Sequence, residues 1–149
     1  MREDNHSFKF QYNDGGRKAA GYKGKTGDCV CRSIAIATRM PYSYVYMLLN
    51  EHAQQQRITK RQPKRGSART GIYKTSIKRM MEMLGWKWTP TMVIGSGCKV
   101  HLRDGELPMG RLVVSVSKHM VAVIDGVIQD THDPSRRGTR CVYGYWRQE

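Results

Sequence analysis

The chain of 149 residues carries 26 Lys and Arg against 12 Asp and Glu, a net charge of +14. That length is one domain's worth of sequence and builds a core without metal or disulfide. The positive excess excludes an acidic surface and favours polyanions or acidic proteins as partners, without bearing on the fold. No run approaches the roughly 18 apolar residues of a membrane span, and the opening MREDNHSFKF lacks the apolar centre of a signal peptide. The expectation is a cytoplasmic protein with no membrane partner, whose four cysteines (Cys29, Cys31, Cys98, Cys141) are reduced rather than paired.

Residues 1–26 are polar, basic and glycine-rich, with a turn signal at Asp14-Gly15-Gly16, and read as a flexible arm or a short strand followed by a loop. A single α+β domain is expected over 27–149. In DCVCRSIAIATRM, Asp28 is placed to cap a helix, Val30, Ile34 and Ala37 form an apolar stripe, and Pro41 ends it. A second helix is predicted over Ser43 to Ala53, with Val45, Leu48 and Leu49 inward. From His52 to Met81 the only charged groups are basic, apart from histidine. The stretch 57–71 reads as an exposed basic loop, and Thr70 is placed to cap a third helix near Ile72 to Leu84 that stops at Gly85.

After Gly85 the pattern becomes β. Strands are predicted over Trp86–Ile94, Arg111–Ser117, His119–Ile124, Val127–Thr131 and Arg140–Trp146, with Asp125-Gly126 as a two-residue hairpin turn. Helices first and strands afterwards give an α+β fold, with N-terminal helices packed on an antiparallel sheet.

Three residues stand out chemically. Cys29 falls where a helix begins, and the amides and dipole there favour a thiolate. A buried, inert cysteine is the plainer alternative, and Cys31 is read as core. His119 opens a strand about 90 residues later, in the order nucleophile then base. With Asp125 and Gly126 as turn residues, Ile124 pairs with Val127, Val121 with Asp130, and His119 with His132. Paired residues share a face and the face alternates along each strand, so Asp130 lies beside His119 diagonally while Asp133 falls on the other face. A carboxylate there fixes the imidazole tautomer and stabilises its cation.

On these residues the chain resembles the papain-like cysteine peptidases. GDCVCRSIAIAT and SKHMVAVIDGVIQDT are similar to the corresponding stretches of small phage and prophage proteins of that superfamily, over roughly residues 20–147. The resemblance implies a papain-like domain in which Cys29 is nucleophile, His119 general base and acid, and Asp130 the group orienting His119. Many such enzymes carry Gln about six residues before the cysteine to complete an oxyanion hole; here that position is Lys23, with Lys25 and Thr26 nearby.

Arg57, Lys60, Arg61, Lys64, Arg65 and Arg69 form a candidate polyanion-binding patch, with a solubilising surface as the plainer reading. Cys98-x-x-His101 with Cys141, His132 or Cys31 lacks the second close pair of a zinc site, so neither metal nor other cofactor is expected. Two functions are carried forward. One is a thiol hydrolase cleaving an amide or isopeptide bond in a protein. The other is a non-enzymatic basic phage accessory protein that binds nucleic acid or a host protein on a papain-like scaffold.

Overall fold

The computed structural model describes residues 9–24, 27–93 and 95–148. Three helices, α1 (Cys29–Thr38), α2 (Tyr42–Gln54) and α3 (Lys74–Met83), follow the short strand β1 (Lys9–Tyr12). They precede β2 (Trp86–Pro90), β3 (Arg111–Val116), β4 (His119–Ile124), β5 (Val127–Asp130) and β6 (Val142–Gln148). The fold is α+β, and its six strands form one sheet in the order β1-β5-β4-β3-β6-β2.

The sheet is mixed, where a purely antiparallel one is expected from the sequence. β1 lies parallel to β5, with Lys9 opposite Val127 and Tyr12 opposite Asp130. Its four residues are all exposed, so β1 presents no alternating apolar pattern; backbone pairing at a free sheet edge holds it. All other strand pairs are antiparallel.

β3 and β4 are buried on both faces, which explains their near-continuous apolar sequences. On one face Val113, Met120, Ala122, Trp86 and Trp146 pack under the helices, against Ile34, Val45, Leu49, Ile77 and Met81 among others. On the other, Leu112, Val114, Val121, Val123, Ile128 and Val142 pack under Leu102, with Val100 and Leu107 at the margin. The segment carrying Val100 and Leu102 is pinned to the start of β6: Val142 N–H donates to Val100 O at 2.8 Å and Leu102 N–H to Arg140 O at 2.8 Å.

A disulfide joins the same two segments. Cys98 and Cys141 are bonded, with Cα atoms 5.8 Å apart, and only Cys29 and Cys31 are free. This corrects the expectation of four reduced cysteines. The pairing depends on a 43-residue separation closing through tertiary contacts, which cysteine spacing alone does not encode. It also removes the Cys98–His101 zinc grouping; His101 Nδ1 lies 3.2 Å from Glu106 Oε1 instead.

Two helix starts differ from expectation. α3 begins at Lys74 after Tyr73, so Thr70 is not its cap; the Thr70 hydroxyl lies 2.6 Å from that of Ser67. Asp28 does precede α1, but its side chain caps no helix amide. At its far end α1 stops at Arg39, in the left-handed conformation (φ 63°), and its last carbonyls are held from the sheet. Arg111 of β3 donates to Ala37 O at 2.7 Å and to Ile36 O at 2.6 Å, placing a cation at the helix C-terminus. Because α1 packs chiefly on β4, this anchor fixes the approach of Cys29 to His119. Among the described residues, no helix is long and apolar enough to cross a membrane.

Candidate active site

Cys29 is the first residue of α1, where amides of the opening turn have no carbonyl partner within the helix. The segment leading into it is fitted closely to the loop before α3. Gly27 N–H donates to Arg69 O at 2.7 Å, and a Cβ on Gly27 would sit 3.1 Å from Thr70 O, tighter than most side chains tolerate.

His119 arrives from the opposite direction. β3 and β4 are joined by Ser117 and Lys118, with Lys118 in the left-handed conformation (φ 55°). The two-residue turn places His119 first on β4, opposite Val116. The β4–β5 register runs Ile124 to Val127, Val123 to Ile128 and Ala122 to Gln129, as the hairpin count gives. Asp125 (φ 48°) and Gly126 (φ 78°) both adopt positive φ at that turn, the requirement of a type I′ hairpin.

That register brings Asp130, at the end of β5, against His119: Nε2 and Oδ2 are 2.7 Å apart. Asp133 turns elsewhere and accepts the Ser135 N–H at 2.9 Å. With Nε2 engaged by the carboxylate, Nδ1 is the ring nitrogen that remains for the Cys29 sulfur, and a hydrogen bond links the two side chains. The Met120 backbone N–H also hydrogen-bonds to Cys29. Sequence reasoning misses this donor, because backbone amides leave no signature in residue type.

The electrostatics follow from these contacts. Burial alone raises the Cys29 thiol. The hydrogen bonds from His119 and Met120 and the charges of His119 and Arg32 overcome it, holding the thiol below its ordinary value. Burial opposes the His119 cation, but Asp130 and Cys29 push it up to about 9. Burial also opposes the Asp130 carboxylate, and His119, the Thr131 N–H and Arg32 more than offset it, keeping the carboxyl below the usual range. The shifts act in one direction, each favouring a thiolate–imidazolium pair backed by a carboxylate over the neutral thiol and imidazole. Cys31, buried beside Asp28, is driven to about 12 and stays a thiol.

Behind this group lies a second layer. Arg32, one turn along α1, hydrogen-bonds to Asp28 through Nη1 and reaches Asp130 Oδ1 at 3.3 Å through Nη2. Asp28 is fully buried and also accepts the Tyr42 hydroxyl at 2.5 Å, with Arg17 Nε at 3.5 Å. The Asp28 charge is therefore committed to Tyr42 and two guanidinium groups. Arg32 bridges two buried carboxylates and fixes the one that holds His119.

The groups border a cleft of about 550 Å³ lined by Cys29, His119, His132, Lys118, Thr70 and Tyr143 among others. His132 is exposed, with its ring centroid 5.3 Å from that of His119. His119, Asp130 and His132 also form a group of possible metal ligands among the described residues, their ligand atoms within 4.8 Å of one another. His119 and Asp130 are already hydrogen-bonded to each other, which suits a base and its orienting carboxylate. Lys23 is exposed, and its carbonyl accepts Arg69 Nη2 at 3.2 Å. Lys25 and Thr26 lie outside the described residues.

Comparison of the chain with protein-family models, with curated proteins and with solved structures finds no match. The functional reading therefore rests on the geometry.

The six basic residues Arg57, Lys60, Arg61, Lys64, Arg65 and Arg69 are all exposed. They are expected to bind polyanions without sequence preference, with affinity falling steeply as salt releases the advantage of displaced counterions. Replacing all six with Ser should flatten the salt dependence of binding to a labelled oligonucleotide. An unchanged slope would reduce the loop to a solubilising surface.

Proposed function

We propose that this chain is a papain-like thiol hydrolase that cleaves an amide or isopeptide bond in a protein substrate. The observation that carries the reading is the His119–Asp130 bond of 2.7 Å, on a histidine whose other nitrogen meets a cysteine at a helix N-terminus. Nucleophile, base and orienting group each have a partner that suits the role.

In this mechanism the Cys29 thiolate attacks the carbonyl carbon, and the carbonyl π electrons move to oxygen. The Cys29 backbone N–H, at the open end of α1, supplies one hydrogen bond to that oxyanion. As the tetrahedral centre collapses, the carbon–nitrogen bond breaks and His119 delivers its proton to the departing amine. An acyl thioester remains on Cys29. Water then attacks it while His119 takes the water's proton. The thiolate leaves, and a carboxylic acid is released.

The pH dependence has two limbs of known sign. The nucleophile appears as pH rises through the lowered Cys29 value, and the acid is lost as pH rises through about 9, where His119 deprotonates. Turnover of a fluorogenic peptide amide should follow a bell with its upper limb near that value, and Cys29→Ala should remove it. Turnover that survives Cys29→Ala would end the hydrolase reading. The non-enzymatic reading, a basic protein binding nucleic acid or a host protein, would then rest on the exposed 57–69 patch.

A further inference from the structure

Beside the cleft at Cys29 lies a second cavity of about 240 Å³, under α3 and over the end of the sheet furthest from β1. Its walls are Ile77 of α3, Trp88 of β2, Met120 of β4 and Trp146 of β6, with Lys74 and Lys78 at the helix side. The two cavities share Lys74, Ile77, Ser115, Met120 and Tyr143, so they adjoin along a common wall. Met120 is the hinge between them: its backbone N–H faces Cys29 while its residue walls the inner cavity.

The inner cavity is built rather than left over. The Trp88 and Trp146 rings pack at 5.3 Å, tilted by 51°. Gly144 lets Trp88 lie across β6, because a Cβ there would come within 2.3 Å of the indole. Its volume is below the roughly 300–1,000 Å³ that holds a whole small molecule, and it suits one large side chain.

The charge around it has one sign. Lys74, Lys78 and Lys118 stand exposed along the two cavities, and Lys74 Nζ sits 6.0 Å from the Tyr143 ring centroid, at the shared wall. The carboxylate among the lining residues is Asp28, which is fully buried and committed to Arg32 and Tyr42. An acidic substrate meets complementary charge here and a basic one meets repulsion.

Resting on the thiol-hydrolase reading, we infer that the substrate is an acidic peptide segment that seats a bulky apolar side chain in the Trp88–Trp146 cavity, beside carboxylates held by Lys74 and Lys78. The cavity supplies apolar burial and the lysines choose the flanking residues.

The two indoles provide the readout. In the Cys29→Ala chain, which cannot turn over, tryptophan fluorescence is titrated with the capped peptides Glu-Phe-Glu, Lys-Phe-Lys and Glu-Ala-Glu. Glu-Phe-Glu should give a saturable change at least tenfold tighter than either of the others, weakening as salt rises. The Lys74→Glu/Lys78→Glu chain, altered at two exposed helix positions, should prefer Lys-Phe-Lys. Equal binding of the two Phe peptides, or an unchanged order in the charge-reversed chain, overturns the acidic preference. Equal binding of Glu-Phe-Glu and Glu-Ala-Glu overturns the apolar seat. None of these readings depends on catalysis. Cys29 alkylation in the otherwise unaltered chain reports separately on the nucleophile, so failure of the pocket and failure of the hydrolase reading give different results.

Discussion

Replacing His119 with Ala is expected to slow alkylation of Cys29 by iodoacetamide at pH 6 by about 10- to 100-fold. An ordinary thiol with a pKa near 8.5 is only on the order of 0.3% thiolate at pH 6. In the intact chain the His119 and Met120 hydrogen bonds hold Cys29 below its usual value, so a larger share is thiolate. Removing the imidazolium leaves the burial penalty in place and deletes the largest opposing influence. The rate falls less than the thiolate fraction does, because a thiolate of higher pKa is intrinsically more nucleophilic. Cys31 serves as the internal control: fully buried and pushed to about 12, it should stay unreactive in both proteins. Peptide mapping by mass spectrometry reads both sites in one sample. An unchanged Cys29 rate in the His119→Ala chain would mean that the two side chains are not coupled.

The second large effect is expected at Arg32. Its guanidinium bonds Asp28, which is fully buried, and Asp130, which is 3% exposed. Arg32→Met keeps much of the side-chain length and removes the charge, leaving two carboxylates short of a buried partner. Breaking such an arrangement costs about 3–5 kcal/mol, to be read from urea unfolding. Arg32→Lys is expected to recover only part of this, because one ammonium cannot span two acceptors as a planar fork does. Arg32 acts on the chemistry through Asp130, as a positioning residue. Without it the carboxyl rises toward its usual range yet stays ionised, and its charge is left to His119, which also loses a neighbouring cation. The upper limb of the activity profile should therefore move to higher pH, a shift that destabilisation alone does not produce. Adding Asp28→Asn to Arg32→Met should restore some stability, and the double-mutant cycle measures the coupling. A fully stable Arg32→Met chain with an unmoved pH profile would show that the bridge is without consequence.

The sequence carries the local elements well and the long-range ones poorly, for a physical reason. Helical stripes at Ile34 and Ala37, at Val45 and Leu49, and at Ile77 and Met81 are periodic over a few turns, and each lands buried. The β4–β5 hairpin is also local: Asp125-Gly126 admits one turn geometry, and the turn fixes every pair up to Ala122 and Gln129. From that register the neighbourhood of Asp130 and His119 follows by counting. Three features have no local signature. β1 joins the sheet parallel to β5 across more than a hundred residues, and its exposed side chains announce nothing. Cys98 and Cys141 meet because the segment covering one face of the sheet is pinned to β6. Asp28 stands where a cap belongs, yet Tyr42 of α2 and Arg32, four residues on, take its oxygens in place of the helix amides. The paired cavities likewise arise where residues of α3 meet residues of four strands, which no stretch of the chain encodes by itself.

The most direct test of a nucleophilic Cys29 is to trap its acyl form. Rapid mixing of the chain with a p-nitrophenyl ester of an N-acylated phenylalanine should release a burst of nitrophenolate approaching one equivalent per chain, followed by slower turnover. Acid-quenched samples should carry the acyl mass on the peptide containing Cys29, and Cys29→Ala should show neither burst nor adduct. A burst that persists in the Cys29→Ala chain, or acylation spread over surface lysines with Cys29 unmodified, would contradict the account.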